Sequence, residues 1–344
     1  MDIQIISPIT HPAWDEILLR TPGASFFHSS AWARVLSESY GYSPRYFTVM
    51  DNDKVLALIP VMEVKSYLTG KRGVSLPFTD FCDPIIDDQI SVGNLFTFAK
   101  DFGKDQGWRY LEVRGKGYQF EKFLASASFY RHILPLADGR EALFHRFRKG
   151  TKSSIKKAEK DGVKVEMFTS IESLREFYKL NCITRKFHGL PPQPWRFFEL
   201  LHRSVLSKGL GIVILAYYEG FCIAGGVFLN FGDTAVYKYG ATDRRHQSLS
   251  ATTLIVWEAI KFYIERKAKM LCLGRTDQLN EGLRTFKRGW GATEQEISYY
   301  RYDFEKGAFV SATSGVKGFH NKIFNKMPLP ILNRIGNILY RHVG

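Results

Sequence analysis

Between Gly211 and Ala241 the chain runs through three strand-like segments, Gly211 to Tyr218, Phe221 to Asn230 and Thr234 to Ala241. Only Glu219-Gly220 and Gly232-Asp233 separate them, and connections that short permit nothing but tight reversals. A long helical stretch, Ser248 to Lys267, and a strand, Lys269 to Leu273, follow. A short helix at Glu281 to Arg288 and a strand at Thr293 to Tyr302 end the series. Hairpins that lead into a helix and a further strand confine this half to a mixed α/β layout.

The first half repeats the plan. Arg45 to Met50 and Lys54 to Lys65 read as a hairpin around Asp51-Asn52-Asp53, followed by a helix from Ser91 to Gln106 and a strand from Trp108 to Val113. Helices are expected at Pro12 to Arg20 and Ser29 to Ser39, the latter with Ser29 or Ser30 as N-cap and Gly41 beyond its end. A strand near Phe129 to Leu136 leads into basic helical sequence from Arg140 to Lys160, then a strand at Val163 to Phe168 and helices at Ile171 to Thr184 and Pro194 to Ser207. The two halves read as a degenerate internal duplication, although mixed α/β elements at this spacing also occur without one. The expected division is residues 1–139, 140–306 and a tail, 307–344.

Charge separates the halves. The net +14 of these 344 residues is −2 over residues 1–139 and +16 over 140–344, so the second half carries the surface for an acidic partner. Cys82, Cys182, Cys222 and Cys272 stand alone, without C-x-x-C or Cys/His spacing, so no metal is expected and free thiols in a reducing compartment are. No apolar run reaches the length of a membrane span and the N-terminus lacks a signal-peptide layout; the expectation is a cytoplasmic protein. No G-x-S-x-G, Walker loop, H-E-x-x-H or Rossmann G-x-G-x-x-G occurs, which argues against those hydrolases, NTPases and dinucleotide enzymes.

Three clusters remain. In Arg146 to Lys160, a helix from Thr151 onward places Lys152, Lys156 and Lys160 on one face, while Arg146 and Arg148 suit bidentate phosphate contacts and Lys149 adds charge; the plain alternative is a solvated run. Tyr239 to Ser250 passes from a strand through Asp243, Arg244 and Arg245 to a helix start at Ser248 and Ser250, an anion site unless those serines simply cap the helix. Arg275 and Asp277 sit just past a strand end, and Lys287 lies on the short helix between glycine turns, where an ammonium can face a reacting carbonyl oxygen. A surface Arg–Asp pair and a solvated lysine are the alternatives.

Together these segments resemble the FemABX peptidyltransferases, built from two GNAT-like domains. The matching residues are Arg148-Lys149-Gly150-Thr151-Lys152 to Gly162, Cys222 to Gly226, Tyr239 to Asp243, Trp257 to Ile260 and Gly282 to Gly291, with Phe26 to Trp32, Ile59-Pro60 and Ser75 to Asp80 in the first half. The resemblance implies two tandem GNAT-like domains, each a mixed sheet flanked by helices, and acyl transfer to an amine of a phosphate-linked envelope precursor. It implies a donor that is either aminoacyl-tRNA or acyl-CoA, with no tightly bound cofactor. On that analogy an interdomain cleft holds the acceptor, with Arg148, Lys149, Lys152, Lys156 and Lys65 near its phosphates. Tyr239, Asp243, Arg244, Arg245, Ser248 and Ser250 serve the donor; Lys287 stabilises the carbonyl oxygen, Asp277 orients or deprotonates the amine, and Arg275 is counted with them as catalytic. Bridge-forming members often carry a phosphate-binding lysine after the tryptophan matching Trp32, where this chain reads Ala33-Arg34-Val35-Leu36. No sustained heptads mark a coiled-coil insertion, and Arg244 to Ser250 lacks the glycines of a GNAT pyrophosphate loop. The rival readings are an acyl-CoA-dependent N-acyltransferase of exopolysaccharide synthesis and a non-catalytic RNA- or membrane-binding protein.

From Gly307 onward there is no Asp or Glu, while Lys317, Lys322, Lys326, Arg334 and Arg341 remain. Ile331, Leu332, Ile335, Ile338 and Leu339 form a helical stripe. It suits docking on the protein's own body, the preferred reading, or peripheral contact with anionic lipid at the cytoplasmic membrane.

Overall fold

The computed structural model describes residues 2–87, 92–115, 120, 123–311 and 319–344. Ser91, the expected start of one helix, and Lys317 of the tail lie outside the described residues. The chain begins with β1 (Ile3–Ile6), α1 (Trp14–Leu19) and α2 (Ser30–Tyr40). Helix α2 is capped as the sequence leads one to expect: Ser29 accepts the Trp32 N–H, and Gly41 closes the helix at φ +76°. The hairpin follows as β2 (Ser43–Asp51) and β3 (Lys54–Ser66), turning through Asn52 at φ +50°. Next come β4 (Gly70–Val74), β5 (Ile85–Ile86), α3 (Val92–Asp105) and β6 (Tyr110–Arg114).

After β7 (Ala127–Pro135) the basic stretch forms two helices, α4 (Gly139–Arg146) and α5 (Lys149–Lys160), followed by β8 (Lys164–Phe168), α6 (Ile171–Phe187) and α7 (Trp195–Ser204). The meander is present as β9 (Gly211–Tyr218), β10 (Phe221–Phe231) and β11 (Thr234–Thr242), antiparallel throughout. Its first turn carries Glu219 and Gly220 at φ +51° and +82°. Then come α8 (Ala251–Glu265), β12 (Met270–Asp277), α9 (Glu281–Arg288), β13 (Thr293–Asp303), β14 (Ala308–Val310), α10 (Phe319–Lys326) and α11 (Leu329–Leu339).

Two compact units result, each from separated stretches: residues 1–129, 296–316 and 338–344, and residues 130–295 and 317–337. The first carries strands in the order β1-β2-β3-β4-β6-β13, the second in the order β7-β12-β11-β10-β9-β8. These units do not follow the expected boundaries at 139/140 and 306/307. The reason is β13, whose Tyr299–Asp303 pairs antiparallel with Arg114–Tyr110 and completes the first unit's sheet from late in the chain. Local hydrophobic pattern carries no information about a partner that remote.

Each unit has its own core. In the first, Phe47, Ile59, Val61, Trp108, Leu111 and Val113 gather between α3 and the sheet. In the second, α8 contributes Leu254, Ile255, Trp257, Ile260 and Tyr263 against Ile212, Ile214 and Phe228 of the meander. Strand β12 joins that sheet parallel to β11, as a strand returning through a helix must. The chain's last residues belong to the first unit. There Arg72 donates to the carbonyls of His342 (2.7 Å) and Gly344 (2.8 Å), and the Tyr42 hydroxyl donates to Tyr340 (2.8 Å). No helix among the described residues is long and apolar enough to cross a membrane.

Candidate active site

The site in the second unit starts from a break. Phe147 and Arg148 are extended, with ψ near +143°, because the buried Phe147 ring packs edge-on against Trp257 (5.5 Å) and Trp290 (5.1 Å). Helix α5 therefore begins afresh at Lys149, with no side-chain cap and no acidic residue in its first turn. Its first N–H groups and the positive end of its dipole are left for other acceptors. Arg148 N–H donates to the Gly289 carbonyl at 2.9 Å, tying this helix start to the end of α9. Gly289 allows the approach: a Cβ there would lie 2.5 Å from Thr151 Oγ1.

A cavity of about 550 Å³ opens here, lined by Arg148, Lys149, Thr151, Ser153, Thr253 and Thr285 among others, none of them acidic. Thr253 belongs to the first turn of α8, a helix that also begins without a side-chain cap. Ser250, at φ +56°, precedes α8, where its carbonyl accepts the Thr253 and Leu254 N–H groups while its hydroxyl makes no capping bond. Lys157 Nζ instead donates to the Ser248 carbonyl at 2.5 Å. Cationic side chains, hydroxyls and two helix starts converge on one space, the chemistry that holds phosphate.

Helix α9 joins this cavity to the second feature. Thr285 and Phe286 line the cavity, and the next residue, Lys287, is 4% exposed. Its Nζ donates to the carbonyls of Gly274 (3.0 Å) and Arg275 (3.1 Å) near the end of β12. Gly274 takes φ +75°, a backbone that glycine tolerates without a Cβ penalty. The lysine is thus a buried, positioned ammonium.

Around it lies a network from β7 and β13. His132 on β7 is fully buried and its Nε2 lies 3.0 Å from Glu294 Oε1. Arg284 holds both Glu294 oxygens, at 2.9 and 3.0 Å, and stacks its guanidinium 4.5 Å from the Tyr130 ring centroid. The Arg284 hydrogen bond, helped by His132, holds the Glu294 carboxyl at about 2. Burial, then the nearby Lys287 charge, pushes His132 below its ordinary value, and its Nδ1 has no hydrogen-bond partner among the described residues. No sequence signal marks His132, Glu294 or Tyr130; Arg284 lies in the matching segment Gly282 to Gly291 without a role assigned by it, and the four meet only through strand and helix packing.

The other expected residues scatter. Lys152 turns toward α4, donating to the His145 carbonyl (2.7 Å) beside the Phe144 ring, and Lys156 is exposed farther along α5. Lys65 lies in the first unit, 3.1 Å from the buried Glu63 carboxylate. Asp243 is buried and bound by Arg245, whose hydrogen bonds hold its carboxyl low; the pair satisfies itself. Arg244 stacks 3.9 Å from the Phe187 ring centroid, and Tyr239 packs against Phe197 and Phe198. Asp277 is exposed, its Oδ1 accepting the Leu279 N–H (2.9 Å), and Arg275 is exposed on the same strand end. The structure therefore joins Arg148, Lys149 and, through α9, Lys287.

Comparison with known proteins agrees with this architecture. Residues 145–288 match the acetyltransferase (GNAT) domain family. A curated relative, UDP-N-acetylmuramoylpentapeptide-lysine N(6)-alanyltransferase of Weissella viridescens, is 26% identical over 140 residues, 40% of this chain; the match spans 41% of that relative's length. Among solved structures FemX superposes with a TM-score of 0.67 at 15% identity, covering 87% of this chain and 97% of FemX. A tandem GNAT protein from the clavulanic acid pathway superposes with a TM-score of 0.54 at 9% identity, covering 88% of this chain and 98% of that one. At these identities the structural likeness is one of fold. Residues 145–288 thus match a GNAT acetyltransferase domain, and the chain is similar in fold to FemX and to a tandem GNAT protein.

Proposed function

We propose that this protein is an N-acyltransferase that moves an aminoacyl or acyl group onto an amine of a phosphate-linked cell-envelope precursor, a peptidoglycan peptide being the first candidate. The observation that carries the proposal is α9, where Thr285 and Phe286 line an acid-free cavity and the adjacent Lys287 holds a buried ammonium. Arg148, Lys149 and the start of α5 take the precursor's phosphate groups. The acceptor amine attacks the ester or thioester carbonyl, the C–N bond forms, and negative charge gathers on the carbonyl oxygen. Lys287 stabilises that oxyanion before the C–O or C–S bond breaks, and the proton lost by the amine ends on the leaving oxygen or sulfur. Asp277 orients the amine at the end of β12. A preorganised ammonium suffices for aminolysis of an activated acyl group.

The curated relative is an alanyltransferase acting on lysine N6 of a UDP-linked muramoyl pentapeptide, which makes that acceptor the first to test. The purified protein is incubated with this acceptor and, in parallel, labelled alanyl-tRNA or acetyl-CoA, with products read by mass spectrometry. A mass increase of one alanyl residue supports the aminoacyl reading, and an acetyl increase the acyl-CoA alternative. Binding of the acceptor or RNA with no turnover of either donor favours the non-catalytic reading.

A further inference from the structure

Helix α11 docks by one side and leaves the other chemically unusual. Leu332 is fully buried, and Gly336 lies so close to Pro192 that a Cβ would come within 2.2 Å of its carbonyl oxygen. On the opposite side Ile331 and Ile338 are 49% and 60% exposed. Seven residues make nearly two helical turns, so these isoleucines point within about 20° of each other, with exposed Arg334 roughly 60° away. Arg341 is exposed just beyond the helix. No Asp or Glu occurs from Gly307 onward to pair with these cations.

Bulky aliphatic side chains next to cations, with no Asp or Glu in the tail, match the boundary between lipid headgroups and acyl chains, where the isoleucines leave water and the cations meet phosphate. An apolar protein groove would cover the isoleucines but gives no use for these cations. We propose that the solvent face of α11 docks the protein on an anionic lipid bilayer. Helix α11 then serves two surfaces: Leu332 and Gly336 fix it to the protein, while Ile331, Arg334 and Ile338 meet the membrane. This goes beyond the proposed reaction, and its test needs no substrate.

The test is co-sedimentation of the full chain with phosphatidylcholine vesicles, with or without about a third phosphatidylglycerol, at low and high salt. Binding at least tenfold stronger to the anionic vesicles, and weakened by salt, is expected. Each surface cation contributes about 1 kcal/mol, a factor of about five, so Arg334→Gln with Arg341→Gln should weaken binding about 25-fold. Ile331→Ser with Ile338→Ser should weaken it by tenfold or more, and unchanged melting temperatures show that both double variants remain folded. Lys149→Gln, at the other cationic patch, should leave vesicle binding within twofold. Equal binding to both vesicle types, or full binding by the tail variants, overturns the proposal. So does a dimer in solution that the isoleucine variant dissociates while the wild type ignores vesicles.

Discussion

Replacing Lys287 by Met keeps the stem and removes the ammonium, separating its structural role from the proposed oxyanion role. The structural role is two charge-assisted bonds, to the carbonyls of Gly274 at 3.0 Å and Arg275 at 3.1 Å. Each is worth about 1.5–3 kcal/mol, but burying the ammonium costs several kcal/mol, so the net loss of stability is about 1–3 kcal/mol. For a unit of this size that lowers the melting temperature by roughly 2–10 °C, a folded protein at assay temperature. The catalytic role is larger. Removing one positioned donor from a developing oxyanion costs about 10²–10³ in kcat, or roughly 2.7–4 kcal/mol. The assay is single-turnover transfer at saturating acceptor, with calorimetry on the same preparation. The expected result is a kcat loss of at least a hundredfold, little change in acceptor affinity and a modest fall in melting temperature. A kcat within threefold of wild type, beside a clear fall in melting temperature, would reduce Lys287 to a brace for the end of β12 and refute the oxyanion role.

Arg148→Gln and Lys149→Gln should raise the KM for a phosphate-linked acceptor by about tenfold each, leaving kcat within threefold, because the charge binds ground and transition states alike; steady-state kinetics checks this. Gly289→Ala sets a methyl group 2.5 Å from Thr151 Oγ1 and should cost about 1–3 kcal/mol, measured by denaturant unfolding, with Thr151→Ala recovering part of the loss. Stability should fall in acid. Glu294, at about 2 in the folded protein, contributes stability above its ordinary 4.5 and loses it as pH falls toward 2; the depressed His132 contributes above its ordinary 6.5 and loses below it. Melting temperatures between pH 4 and 8 should therefore rise with pH, and His132→Gln should flatten the slope between pH 5 and 6.5; a wild type more stable at pH 5 than at pH 7.5 contradicts this account.

Local pattern made much of the fold legible. The meander, the capped start and end of α2, and α9 from Glu281 to Arg288 all sit where turn residues and periodicity place them. Two things escaped it. One is the pairing of β13 with β6, which depends on residues nearly two hundred positions apart. The other is the break at Phe147-Arg148, which sequence alone presents as one basic helical stretch. Its cause is tertiary: Phe147 reaches the core between Trp257 and Trp290, and the helix must restart. Of the residues singled out by composition, Arg148 and Lys149 sit at that restart, whereas Lys152 bonds to α4 and Arg245 is spent on Asp243.

That restart shows how a charge run becomes a site. Lysines at i, i+4 spacing on a continuous helix spread their charge along a solvated face, where salt screens it and no ligand is fixed. Breaking the helix after Arg146 turns the middle of the same run into an N-terminus, adding unpaired N–H groups and a dipole end to Arg148 and Lys149. Arg148 N–H then secures that end to the Gly289 carbonyl, one residue past α9, so anion-binding groups and the Lys287 ammonium are carried on elements joined by a backbone hydrogen bond. A substitution that lets α4 and α5 fuse, such as Phe147→Ala, should therefore weaken acceptor binding even though it removes no charge. The change in acceptor KM relative to that for Lys156→Gln, on the exposed part of α5, measures how much of the binding comes from the helix start and how much from net charge. If Lys156→Gln raises KM more than Phe147→Ala does, net charge is the larger contributor and the helix start is not what recognises the acceptor.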